Sequence, residues 1–96
     1  MTQEQANIRN ERNARISDQP VGSAVLIVNS YLGNPSKFLP MLNFVAGVRP
    51  SAVKSMARFI CNVQDGFVPN PNGGAKETCI DMLTDLYNDY KARIEG

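Results

Sequence analysis

The chain has 96 residues, of which 43% are apolar and 20% are charged, and its net charge is +1. This length fits one domain, and the near-neutral charge gives no bulk attraction to nucleic acid or to an anionic membrane. The chain contains no histidine, which removes the usual general base at neutral pH and the commonest metal ligand. We therefore expect no enzyme, no metal site and no cofactor.

Polar, helix-forming residues dominate the first predicted helix, which covers residues 3–17. Its large apolar residues are Ile8 and Ile16, which lie about 80° apart on a helical wheel and form a narrow stripe. Such a helix is stable only when it docks, because short isolated helices are marginal in water. We expect residues 1–19 to form an arm that docks on a sister subunit or a partner, and residues 20–96 to form a helical core domain.

The arm supplies the candidate partner-binding residues. They combine the two isoleucines with three arginines at intervals of three residues: Ile8, Arg9, Arg12, Arg15 and Ile16. Arginine-rich helices can enter nucleic-acid grooves. Here Glu4, Glu11 and Asp18 cancel the arginine charge, which weakens the case for nucleic-acid binding.

The next two predicted helices are rich in apolar residues. Residues 21–32 are apolar nearly all round, which is typical of a helix at the centre of a core. The turn-forming residues 33–35 end that helix. A third helix is predicted at about 37–46, with Ser36 as its N-cap and Gly47 immediately after its end.

Residues 50–64 show the clearest amphipathic pattern, with apolar residues at i, i+3, i+4 and i+7. With the preceding helix they form a corner at 38–64 that is similar to a helix-turn-helix. The outer face of this would-be recognition helix carries Arg49, Ser51, Lys54, Ser55 and Arg58. The corner supports an alternative hypothesis, a small nucleic-acid-binding regulator.

A loop and a long helix complete the chain. Residues 67–74 hold two prolines and two glycines, which exclude regular structure. In the predicted helix 75–94, Asp81, Asp85 and Asp89 recur at i, i+4 and i+8. They span about 12 Å along one helix, too far for one ion to bind all three. This stripe is either a solvated face or a face that docks on the basic residues of the fourth helix.

Cysteine usage and hydropathy give the expected compartment. Cys61 and Cys79 lie on predicted apolar helix faces, so we expect reduced, buried thiols, with a disulfide as the alternative. The longest apolar run, 24–28, is far too short to span a membrane, and the N-terminus has no signal-peptide pattern. These features predict a soluble, cytoplasmic protein without membrane association.

Together these elements predict an all-α fold, a small irregular bundle of four to five helices in a single domain. By elimination rather than from a motif, we expect a non-enzymatic protein that acts through protein–protein binding. Adaptors, inhibitors and assembly components, including virus-borne accessory or structural proteins, have this character. We expect the protein to bind a protein partner or to associate with itself into a homo-oligomer, because an excess of apolar residues with a polar rim marks an interface.

Overall fold

The computed structural model describes residues 2–33, 35–66 and 74–95, and these ranges fold into five α-helices. The helices in chain order are α1 (Gln3–Asp18), α2 (Val21–Leu32), α3 (Pro35–Val48), α4 (Pro50–Gln64) and α5 (Ala75–Glu95). This helical bundle confirms the predicted fold class. Most of the predicted loop, residues 67–73, lies outside the described ranges, and the division into an arm and a core domain stays a prediction.

Local chemistry fixes several helix ends. A capping box begins α1: the Thr2 hydroxyl accepts a hydrogen bond from the Gln5 backbone N–H at 3.1 Å, and the Gln5 side chain accepts one from the Thr2 N–H at 2.9 Å. Gly33 ends α2 in the left-handed conformation, with φ of 72°. Gly66, with φ of 78°, follows the end of α4 in the same way. Glycine adopts this conformation without the steric penalty of a Cβ atom.

Helix α3 is longer than the sequence predicts. It begins at Pro35, so Ser36 lies within its first turn and is not its N-cap. Proline suits this position, since its missing N–H has no partner in the first turn. Gly47 lies inside α3 and has no positive φ. The helical hydrogen bonds continue past it, since the Arg49 N–H donates to the Val45 carbonyl at 2.7 Å. The predicted N-cap and the predicted helix end are therefore both wrong.

The core lies between α2, α3, α4 and α5. The largest fully buried side chains come from all four of these helices: Leu32, Leu42, Met56, Ile60 and Leu83. Helix α4 packs against each of the other helices, and α5 also packs against α3 and α2. The amphipathic residues 50–64 thus form a helix that contacts all the others, although the apolar composition of residues 21–32 predicted that helix for the centre of the core.

Helix α2 is only partly enclosed. Val25, Val28 and Leu32 are buried, as its apolar composition predicts. Leu26 is exposed on the opposite side, so α2 is a boundary helix and not a fully surrounded one. Within the part of the chain that the structure describes, none of the helices combines the length and the apolar content that a membrane crossing requires.

Truncating Leu83 to alanine tests this placement of the core. Leu83 is fully buried in α5, so we expect Leu83→Ala to lower the free energy of unfolding by about 2–5 kcal/mol. The loss should be smaller for Leu86→Ala, because Leu86 is only partly buried. Met82 is exposed on the same helix, and Met82→Ala is the control, with a change of about 0.5 kcal/mol or less. Urea unfolding followed by circular dichroism measures all three, and equal losses at 82 and 83 would contradict the assigned core face.

Candidate binding surface on helix α1

Helix α1 packs antiparallel on α4 through polar contacts. Near the end of α1, the Lys54 Nζ donates to the Ser17 carbonyl at 2.9 Å, and the Arg58 Nη1 donates to the Ser17 hydroxyl at 2.7 Å. One turn earlier in α1, the Asn62 Nδ2 donates to the Asn13 Oδ1 at 3.4 Å. The contacts with Ser17 place cations at the C-terminal end of α1, where they interact favourably with the helix dipole.

An ion pair between Arg12 and Asp65 forms the far end of this contact. Asp65 is the C-cap of α4, a position where a negative charge opposes the helix dipole. Arg12 compensates this charge. Because the two helices run antiparallel and α4 ends at Gln64, residues 3–11 of α1 project past the last residue of α4.

The two isoleucines of the predicted stripe have different surroundings. Ile16 is 5% exposed and belongs to the core cluster, whereas Ile8 is 45% exposed on the projecting half of α1. Ile8 lines a shallow open depression together with Glu11, Arg12 and Arg15. These four residues lie at i, i+3, i+4 and i+7, so they share one face of α1, which we call the Ile8 face.

The charges of the Ile8 face have both signs. Arg15 donates to the Glu11 carboxylate at 2.6 Å, and both side chains are mostly exposed. Such an exposed pair adds little to stability. Glu11 and Arg15 can therefore separate and pair with charged groups on another molecule at a small cost in free energy. Of the five predicted partner-binding residues, three lie together on the Ile8 face: Ile8, Arg12 and Arg15. Arg9 is half-buried outside this face. Ile16 lies in the core.

The residues of the would-be recognition helix are arranged differently. Lys54 and Arg58 donate to Ser17 of α1, and Arg58 also donates to the Ser55 hydroxyl at 2.9 Å. Arg49 donates to the Tyr90 hydroxyl at 3.2 Å, and Ser51 is exposed. Arg49 is also the single residue between α3 and α4, whereas a DNA-binding helix-turn-helix has a turn of three to four residues.

The aspartates of α5 do not dock on α4. The basic residues Lys54 and Arg58 contact α1, while Asp89 pairs with Arg93 on its own helix at 3.2 Å. The stripe is therefore a solvated face, the first of the two predicted alternatives. Among the residues that the structure describes, no three His, Cys, Asp or Glu side chains are grouped as a metal site would require.

Both cysteines are free thiols. Burial raises the pKa of Cys79 to about 11. Burial also raises the pKa of Cys61, although the nearby positive charge of Arg12 acts in the opposite direction. The predicted reduced state fits both residues, but only Cys79 is fully buried, and Cys61 is partly exposed near α1.

Sequence reasoning missed the residues of α4 that hold the arm. Asn62 and Asp65 lie 49 and 53 positions after their partners Asn13 and Arg12. No local periodicity connects positions so far apart. The available signal was the polar side of the amphipathic helix 50–64, which we interpreted as an outer face.

Comparisons with protein-family models, with curated proteins and with solved structures found no match for this chain.

The high pKa of Cys79 predicts a loss of stability at alkaline pH. Between the ordinary thiol pKa of 9.0 and about 11, the unfolded chain releases a proton that the folded chain keeps. The contribution of the Cys79 thiol to the free energy of unfolding is complete below pH 9 and is lost as the pH rises through that window. Urea unfolding across this window measures the effect, with Cys79→Ala as the control for the other groups of the chain. The variant should lose less stability with rising pH, and equal pH dependences would contradict the assignment.

The polar contacts of α1 predict selective loosening of this helix. We expect the double substitution Lys54→Ala and Arg58→Ala to speed amide hydrogen exchange in α1, because both side chains hold Ser17. Exchange in α3 and α5 should stay unchanged, since their packing does not involve these contacts. The control is Lys76→Ala plus Arg93→Ala on α5, which removes the same charges at exposed positions. Equal acceleration throughout the bundle would show that the contacts stabilise the whole fold.

Proposed function

We propose that this protein is a non-enzymatic binding component, an adaptor, inhibitor or assembly factor, whose Ile8 face contacts another protein. The observation that carries the proposal is the projection of residues 3–11 past the end of α4, which leaves Ile8 exposed within a rim of charged side chains. Apolar anchors surrounded by polar residues, with arginine among them, are typical of protein interfaces.

Energetics indicate that Ile8 cannot be the whole binding site. Complete burial of an isoleucine side chain contributes about 1.5–3 kcal/mol, and roughly half of this side chain is already covered. A stable complex therefore needs Glu11, Arg12 and Arg15 to find partners of opposite charge. A partner groove with an apolar floor and a mixed-charge rim would accept a helix of this kind.

The cysteines support a role without catalysis. A cysteine nucleophile acts as the thiolate, and burial raises the pKa of both Cys61 and Cys79, which lowers the thiolate fraction at neutral pH. Two unpaired thiols also suit a reducing compartment, so we propose a cytoplasmic location.

The nucleic-acid-binding alternative stays a prediction, with less support. Its residues Lys54 and Arg58 already donate to Ser17, and Glu11 neutralises Arg15 on the arm. This hypothesis requires Lys54→Ala plus Arg58→Ala to abolish nucleic-acid binding, and it requires that binding to weaken steeply with salt.

Affinity capture from source-cell lysate tests the proposal when the wild type is compared with Ile8→Asp. We expect a protein partner that survives nuclease treatment and is lost with Ile8→Asp, because the substitution puts a charge at the apolar anchor. The control is Ile94→Asp, since Ile94 is 65% exposed on α5, and this variant should keep the partner. Both variants should retain the wild-type circular dichroism spectrum.

Two outcomes would contradict the proposal. A partner that Ile8→Asp captures as well as the wild type would show that the Ile8 face is not the binding site. Binding that disappears with nuclease would favour the nucleic-acid alternative.

A further inference from the structure

Helix α1 is attached to the bundle mainly through α4. Within the described ranges, α2, α3 and α5 each pack against several other helices, whereas the main contact of α1 is with α4 alone. Ile16 is the one buried residue of α1 and the one side chain that α1 adds to the core cluster. The hydrogen bonds that Ser17 accepts from α4 are exposed to solvent. The core between α2, α3, α4 and α5 therefore loses a single side chain when α1 leaves.

The contact between α1 and α4 contains a poorly satisfied side-chain amide. Asn62 is 9% exposed, and its Nδ2 donates to the Asn13 Oδ1 at 3.4 Å, which is longer than the usual N–H···O distance of about 2.7–3.2 Å. The Asn62 Oδ1 is sealed from solvent and has no hydrogen-bond partner among the described residues. Turning the amide over would exchange its two polar atoms and leave the nitrogen without a partner instead. The deficit therefore does not depend on the orientation of the amide.

This amide opposes the docking of α1. A buried polar group without a partner loses its hydrogen bonds to water and gains none in exchange, so it destabilises the state in which it is buried. When α1 leaves α4, water can reach both polar atoms of Asn62. Burial of Ile16 and the exposed contacts of Ser17 stabilise the docked state, whereas the lost hydration of the amide favours the open one. An apolar side chain of similar size at position 62 would remove this opposing contribution.

We infer that α1 detaches from α4 as a unit of its own while α2, α3, α4 and α5 stay folded, and that the buried amide of Asn62 keeps its docking weak. Such partial openings are common where an element buries few apolar side chains. The open state exposes Ile16 and the polar side of α4, which the docked helix covers. The inference does not rest on the proposed function, since Ile8 is exposed even when α1 is docked.

Amide hydrogen exchange of the folded protein tests whether α1 opens separately. Leu83 is fully buried between the other helices, so Leu83→Ala weakens the core equally whether α1 is docked or open. We expect this variant to speed exchange in α3 and α5 and to leave exchange in α1 at the wild-type rate. Low concentrations of urea should accelerate exchange in α3 and α5 more steeply than in α1, because undocking exposes less surface than unfolding does.

Replacing the amide by an apolar side chain tests the role of Asn62. We expect Asn62→Leu to slow exchange in α1 by about five-fold or more, because the docked state then no longer buries an unpaired polar atom. The control is Asn43→Leu at an exposed asparagine of α3. It makes the same change of residue type, with the same gain in helix propensity, and should leave exchange in α1 at the wild-type rate.

Two results would overturn the inference. If α1 and α3 respond equally to Leu83→Ala and to urea, α1 leaves α4 only when the whole chain unfolds. If Asn62→Leu slows exchange in α1 no more than Asn43→Leu does, or speeds it, the amide does not weaken docking. Should Asn62→Leu lose helical content, the measurements that retain Asn62 still decide whether α1 opens separately. None of these experiments uses a partner, so the proposed function and this inference can fail independently.

Discussion

Burial of one face of α4 is the interaction on which the rest of the bundle depends. Val53, Met56, Ala57 and Ile60 are at most 1% exposed, and they meet side chains from α2, α3 and α5. Helices α2 and α3 have 12 and 14 residues, a length at which isolated helices are marginal in water, so their order comes from this shared contact. The opposite side of α4 is polar because an amphipathic helix has one apolar face. Helix α1 packs along that polar side, which explains why hydrogen bonds and an ion pair accompany the single buried apolar residue of α1, Ile16.

The two sides of α4 differ in how far the sequence could reveal their use. A helix with apolar residues on one face is stable when that face is buried in a core, so residues 50–64 could be placed correctly. Polar residues such as Lys54, Arg58 and Asn62 are compatible with solvent, with a nucleic acid or with another helix. In the structure they contact Ser17 and Asn13 of the same chain. Nothing in the periodicity of α4 distinguishes these three cases.

The helix ends also show how far the sequence alone could predict the structure. Gly33 and Gly66 have positive φ angles at helix ends, and the sequence predicted the turn at residues 33–35. Gly47 is the same residue type, but it has no positive φ and lies inside α3. Whether a glycine ends a helix depends on the packing of its neighbours. The scarcity of apolar residues in α1 was likewise visible in the sequence, whereas the different surroundings of Ile8 and Ile16 follow from where α4 ends.

The docking of α1 and the binding that we propose for the Ile8 face would be connected through Arg12. This side chain pairs with Asp65 and also lines the depression beside Ile8. A partner that takes the Arg12 guanidinium for itself removes one of the few contacts that hold α1 on α4, and it leaves Asp65 uncompensated at the end of that helix. Such a partner binds the undocked helix more tightly than the docked one, so it shifts α1 away from α4. By the same linkage, weakening the contacts of Ser17 would raise the affinity of that partner. Arm docking and partner binding would then be two states of one equilibrium, set by a contact that contributes little to the stability of the core.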